Sequence, residues 1–189
     1  MDRRVRKTRA LLRQGLTQLM KTKRVKDITV RELADLVDIN RGTFYIHYKD
    51  IYDMVEQIEN DMFAEFNDLV NAHSIEELSN DEIPIVVELY KYMAKNADMC
   101  TALLGPNGDP LFVDRMKNLV RIKCLQEYMK IYHTGETNDF DYYYSFMVSG
   151  CLGLFKEWLF KGMPETPEQM SVLTERIIAD GLKNLKKNH

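Results

Sequence analysis

The chain is poor in residues that interrupt regular structure: glycine (9) and proline (5) together fill 14 of 189 positions. An all-β fold with a turn every ten residues needs more of them, as does a disordered or collagen-like chain. Cysteine is scarcer still. Cys100, Cys124 and Cys151 are odd in number and far apart, which fits buried thiols in a reducing compartment rather than a disulfide framework or a zinc site. No run approaches the roughly 18 uninterrupted apolar residues of a membrane span. The basic start, Met1 to Lys7, has no apolar stretch behind it of the kind a secretory signal carries. A soluble cytoplasmic protein with no membrane partner is expected. Chemistry is equally sparse. The four histidines, His47, His73, His133 and His189, form no HExxH pattern and none has Glu three residues before it. GxGxxG, GxSxG and phosphate-loop patterns are missing, so neither enzyme activity nor a metal or other cofactor is expected.

What is present is an uneven distribution of charge. Residues 1–49 hold 13 Lys/Arg against 5 Asp/Glu, a balance of +8; the remainder holds 13 against 24, a balance of -11. A basic first quarter on an acidic remainder points to one segment that meets a polyanion and another that does not.

Apolar residues recur at helical spacing nearly everywhere, and no segment alternates with period two, so the fold class is all-α. A first helix over about 3–22 carries Val5, Leu12, Leu16 and Leu19 on one stripe. A second opens at Thr29-Val30-Arg31-Glu32, a capping box, with Ile28 and Leu33 placed as a hydrophobic staple. The break Asp38-Ile39-Asn40 follows, rich in residues that tolerate the left-handed conformation of a tight turn. A short helix over 41–48 and a long one over 51–71 come next, and the chain turns polar from 72 to 82. Further helices are expected over 82–103, 111–133, 139–162 and 166–187. Gly105-Pro106-Asn107-Gly108-Asp109-Pro110 is the strongest loop signal, and Thr166-Pro167-Glu168-Gln169 a second capping box.

A capped helix, a three-residue turn and a short helix form the layout of a helix-turn-helix unit. At 100° per residue, Phe44 and Tyr48 point toward the preceding helices. Gly42, Thr43 and Ile46 point the other way, flanked by Arg41, Tyr45 and His47. That face suits a major-groove reader: glycine permits close approach, hydroxyls donate to phosphates, and arginine contacts guanine. Thr29 and Arg31 open the preceding helix, whose amides and dipole favour a phosphate.

Ile28-Thr29-Val30-Arg31-Glu32-Leu33-Ala34 with Ile39-Asn40-Arg41-Gly42-Thr43-Phe44-Tyr45-Ile46-His47-Tyr48 resembles the DNA-binding domain of the tetracycline-repressor (TetR) family, over about residues 5–58. The resemblance implies a homodimeric transcriptional regulator, usually a repressor, whose helical C-terminal domain binds a small effector. It implies a DNA-binding domain over 1–50 and an effector-binding and dimerisation domain over 51–189, with 51–71 as connecting helix. Arg41, Gly42, Thr43 and Tyr45 match positions that read or approach a double-stranded operator. Thr29, His47, Tyr48 and Lys49 match positions that touch phosphate or support its contact. The sequence departs from the family at Asp38, where glycine is common, and at Ile51, where a phosphate-binding lysine is usual; the nearest positive charge is Lys49. The basic residues Arg3, Arg4, Arg6 and Lys7 offer further phosphate or minor-groove contacts.

The helix over 139–162 is apolar on two sides. One stripe is Phe140, Tyr143, Met147, Cys151, Leu154 and Trp158; the other is Tyr144, Val148, Leu152, Phe155 and Leu159. Burial on both sides suggests a homodimer in which the second stripe pairs with its symmetry mate alongside Leu173, Ile177 and Leu185 of the last helix, Gly150 and Gly153 allowing close approach. Phe112, Met116, Tyr143, Phe146, Met147 and Trp158 are candidates to line a pocket for an apolar or aromatic effector. A DNA-binding adaptor answering to a protein partner, or to no ligand, is the alternative.

Overall fold

The structure, a computed structural model, describes residues 3–72, 84–132 and 138–186. The polar stretch of 72–82 falls almost wholly outside these residues, and so do the side chains of Cys124, Phe140, Tyr143 and Leu185. Among the described residues the chain is all-α, with no strand. The helices are α1 (Arg3–Met20), α2 (Val30–Leu36), α3 (Arg41–Tyr45), α4 (Ile51–Ala72), α5 (Pro84–Lys95), α6 (Ala97–Leu104), α7 (Pro110–Tyr132), α8 (Asn138–Phe160) and α9 (Pro167–Lys186). A single 3-10 turn, Val25–Asp27, links α1 to α2.

The chain divides into two compact units, residues 1–63 with 98–113, and residues 64–97 with 114–189. In the first, Leu12, Leu16 and Met20 of α1, Leu33 and Ala34 of α2, Phe44 of α3 and Met54 of α4 make the core. Helices α1 and α2 lie so close that a Cβ on Gly15 would stand 2.4 Å from Val37 Cγ1 and 2.8 Å from Leu33 Cδ1. The segment after α6 belongs to this unit. The Asn107 side-chain amide donates to the Met20 carbonyl at 3.2 Å, closing one of the unpaired carbonyls at the end of α1. Lys21 meets Asp98 at 3.1 Å, and the buried Thr17 hydroxyl lies against Met99.

The second unit is built on α5, α8 and α9. Its centre is aromatic: the Tyr90 ring lies 4.3 Å from Phe155 and 5.1 Å, edge-on, from Trp158. Every polar atom this cluster buries is accounted for. The Tyr90 and Thr174 hydroxyls share a 2.8 Å hydrogen bond, Thr174 donates on to the Met170 carbonyl, and the Trp158 indole donates to the Glu165 carbonyl at 3.0 Å. The Thr166 box is reciprocal: its N–H donates to Gln169 Oε1 and its hydroxyl accepts from the Gln169 N–H. Helix α8 ends where Gly162 turns left-handed (φ 81°) and the Met163 N–H reaches back to the Trp158 carbonyl.

Two expected helices are shaped differently. The periodicity over 82–103 predicts one helix, whereas α5 and α6 are separated at Asn96. There the backbone N–H and the side-chain amide both donate to the Tyr92 carbonyl, so the side chain competes for the acceptor that continues the helix. The expected helix over 41–48 closes early at Tyr45, because the His47 and Tyr48 N–H groups both fall on the Phe44 carbonyl.

Candidate nucleic-acid interface

Helix α3 owes its placement to three local devices. Asp38 adopts φ 53°, the left-handed turn conformation expected of it. The Asn40 side chain then accepts the Gly42 N–H at 2.8 Å and caps the helix. Phe44, with no exposed surface, and Tyr48 anchor its inner side. Arg41, Gly42, Tyr45 and Ile46 are left on the outer side, with Thr43 and His47 half-buried at the flanks. Tyr45 is 59% and Ile46 78% exposed, although both are large and apolar in body.

Thr29 caps α2 by accepting the Glu32 N–H at 3.2 Å, with Ile28 and Leu33 buried beside it. The box is one-sided. The Glu32 carboxylate pairs with Lys23 instead of returning to Thr29. Thr29 and Arg31 are both exposed, and with Leu19, Glu32, Asp35 and Leu36 they line an open groove of about 410 Å³. Arg31 stands 3.7 Å from Asp35, an exposed pair that contributes little to stability.

Behind α3 lies a hydrogen-bond chain that sequence reasoning did not find. Arg9 Nε donates to the Tyr48 hydroxyl at 3.0 Å, and its guanidinium sits 5.4 Å from that ring's centroid. A second nitrogen of Arg9 donates to Gln57 Oε1 at 3.1 Å, and the Gln57 amide donates to both Asp53 oxygens at 3.2 Å. Asp53 in turn accepts the Lys49 N–H at 2.8 Å. The Tyr48 hydrogen bond raises the Arg9 pKa above its ordinary value, opposed by desolvation. The Lys49 N–H, then Gln57, holds the Asp53 carboxyl below its own. The turn from α3 into α4 is thereby tied to α1. Tyr48, matched to a phosphate-supporting position, is buried and acts from behind the surface.

The start of α4 is capped by a related but offset arrangement. Asp50 accepts the Asp53 N–H at 2.8 Å while Asp53 accepts the Lys49 N–H. These carboxylates already supply the negative charge a helix N-terminus favours. Ile51, in place of the usual lysine, is buried. Lys49 is exposed and is the cation of this turn. Arg3, Arg4, Arg6 and Lys7 lie on the exposed first turns of α1, which has no acidic residue in its first turn. Cations at a helix N-terminus oppose its dipole, so these residues do not stabilise α1 through it.

In the second unit, two of the α8 side chains expected at a dimer interface are buried within the unit and three are half-buried. Tyr144 is buried with its hydroxyl donating to the Lys117 carbonyl, Leu159 is buried, Phe155 stacks on Tyr90, and Val148 and Leu152 are half-buried. Helix α8 instead exposes Tyr142, Phe146, Gly150, Gly153 and Phe160, which fall within an arc of about 80° at 100° per residue. Leu173 and Ile177 of α9 are exposed, as is Val172. Of the pocket candidates, Phe112 is buried in the first unit, and Trp158 is packed in the aromatic core of the second. Met116 and Met147 are half-buried, and Phe146 points outward. Burial pushes the Cys100 thiol up to about 12 and that of Cys151 to about 11, so neither is a thiolate at neutral pH. No described helix is long and apolar enough to cross a membrane.

Comparison with known proteins agrees with this layout. A 53-residue stretch, 28% of the chain, is 30% identical to the uncharacterized HTH-type transcriptional regulator YxbF of Bacillus subtilis (strain 168), and spans only 14% of that protein's length. The fold is similar to a TetR transcriptional regulator from Streptococcus agalactiae 2603V, with 21% identity, a TM-score of 0.61, and coverage of 94% of this chain and 96% of that one. It is also similar to FadR of Thermus thermophilus, a TetR-family transcriptional repressor solved with lauroyl-CoA; there the identity is 12%, the TM-score 0.51, and the coverage 92% of this chain and 94% of that one. Residues 80–180 match TetR_C_8, the family model of a transcriptional-regulator C-terminal region. With that match over more than half its length, the chain belongs to the TetR family of transcriptional regulators.

Proposed function

We propose that the protein is a cytoplasmic, homodimeric repressor that binds a palindromic operator and is released from it by a small apolar or aromatic effector. The observation that carries the DNA-binding part is the outer side of α3. Arg41, Gly42, Tyr45 and Ile46 stand free above a buried Phe44–Tyr48 pair, within the segment whose charge balance is +8. Thr29, Arg31, Thr43, His47 and Lys49 flank this face, Tyr48 supports it from beneath, and the α1 cations add charge. The exposed apolar stripe of α8 and α9 supports the homodimer. Covering it with its symmetry mate removes from water Tyr142, Phe146 and Phe160 of α8 and Val172, Leu173 and Ile177 of α9.

The effector is supported by two half-buried methionines, Met116 and Met147, and by a fold similar to that of a repressor solved with lauroyl-CoA. To act, such a ligand must bind the DNA-incompetent arrangement more tightly than the competent one. One observation favours an adaptor that answers to a protein partner or to no ligand. The pocket candidate Trp158 is spent, together with Phe155 of the other stripe, on a closed aromatic core with Tyr90.

The test is selection of genomic fragments by purified protein, followed by binding to the enriched site across a salt series. Two subunits neutralising about four phosphates each give a slope of log K against log salt near -7, at about -0.9 per phosphate. Arg41→Ala and Tyr45→Phe are expected to weaken binding to the selected site more than to random duplex. No enrichment, or a slope shallower than about -3, refutes the reading.

A further inference from the structure

Ile46 is the most exposed large apolar side chain among the described residues, at 78%. Its position is fixed from both sides. It closes α3 with ordinary helical angles (φ -67°, ψ -27°), and its N–H is held by the Gly42 carbonyl at 3.3 Å. Phe44, two residues before it, and Tyr48, two after, are buried and pin the backbone. A single apolar side chain on a surface is ordinary. This one shares its face with arginine, glycine and a tyrosine tip, within the first 49 residues, whose charge balance is +8. Gly42, one helical turn earlier on that face, offers no side chain, so a broad edge can reach the flank of Ile46.

Isoleucine has no hydrogen bond to give to a base or a phosphate. The major groove shows donors and acceptors on every base pair, and the thymine C5-methyl is its one apolar group. Resting on the proposed DNA-binding function, we propose that Ile46 is a specificity-determining residue that packs on a thymine methyl in each half-site of the operator. The contact is indifferent to the hydrogen-bonding pattern of the pair and reads only the methyl.

Uracil in place of thymine removes that methyl and leaves base pairing and every hydrogen-bonding group unchanged. The experiment takes the site selected by the full-length protein and replaces each thymine in turn by deoxyuridine. Losing burial of one methyl is expected to weaken binding about fourfold at one position per half-site, and about fifteenfold when both half-sites are changed. Ile46→Ala is expected to bind the thymine and uracil duplexes equally, whereas Ile46→Val retains the preference. Because Ile46 supports no core contact, both variants should melt with the wild-type protein. Uracil tolerated at every position, a selected half-site without thymine, or an Ile46→Ala protein that still prefers thymine overturns the assignment. If the site is still bound specifically and weakened by Arg41→Ala, only the role of Ile46 fails. If no site is enriched, the DNA-reading function fails with it.

Discussion

Gly150 and Gly153 offer a test whose sign depends on what covers α8. Both are exposed in mid-helix, and a Cβ built on either meets nothing within 4 Å. In an isolated chain, Gly→Ala at each position then brings the helix-propensity gain of about 0.8–1 kcal/mol unopposed, so Gly150→Ala/Gly153→Ala should stabilise a monomer by about 1.6–2 kcal/mol. The same two methyls become intrusions if a symmetry-related helix lies on the Tyr142–Phe146–Phe160 stripe. Overpacking a close contact costs about 1–3 kcal/mol, and a two-fold axis repeats each intrusion. Even a single uncompensated cost of about 1.4 kcal/mol raises the dissociation constant tenfold. The double variant is therefore expected to be more stable as a monomer and at least tenfold weaker as a dimer. Denaturation at several protein concentrations reads the first quantity, and sedimentation equilibrium the second. A variant that is stabilised and dimerises with unchanged affinity shows that no helix crosses α8 at these glycines.

Gly15→Ala should behave in the opposite way to a monomeric Gly150→Ala. Its Cβ meets Val37 and Leu33 at 2.4 and 2.8 Å, so overpacking outweighs propensity, and urea denaturation should show a net loss of about 1 kcal/mol; a gain would mean that α1 and α2 are free to separate. Tyr48→Phe removes the acceptor of Arg9 Nε at a cost of about 1 kcal/mol, and a double-mutant cycle with Arg9→Met should recover coupling of that order. Independent, additive effects would exclude the hydrogen-bond chain as a support of α3. Asp53 has its carboxyl pKa held below the ordinary value in the folded chain, so its contribution is present above the unfolded value of 3.8 and is lost as pH falls through the folded one. Asp53→Asn should flatten the acid limb of a stability profile below about pH 4 and leave its neutral region parallel to wild type. An unchanged acid limb would show that the Lys49 N–H does not hold this carboxylate.

The parts of this molecule that were legible in its sequence are those set by neighbours a few residues apart. The left-handed Asp38, the caps at Thr29 and Thr166, and the buried side of α3 follow from local geometry, because a helix leaves each side chain only one direction. On the outer side Thr43 is half-buried, while Arg41 and Tyr45, expected as flanks, are exposed. Helix α8 was not legible in the same way. With apolar residues nearly all round, periodicity cannot say which stripe the chain itself will cover. The demand of Tyr90 for packing partners drew in Phe155 and Trp158, and the side left open is one on which two glycines dilute the apolar signal. The chain behind α3 was invisible for another reason. Arg9 is 39 residues from Tyr48 and 48 from Gln57, and a lone arginine on an amphipathic helix reads as a solvated face. Segment 98–113 is the clearest case. Its loop signal was plain, but nothing local says which unit it joins; the Asn96 break frees it to join the first, where Asn107 caps a helix 87 residues earlier in the chain. That contact ties the loop of highest turn propensity to the base of α1. Helix α1 thus has its last turn held by Asn107 and its second turn, through Arg9, bonded to Tyr48, two contacts that no local pattern announces.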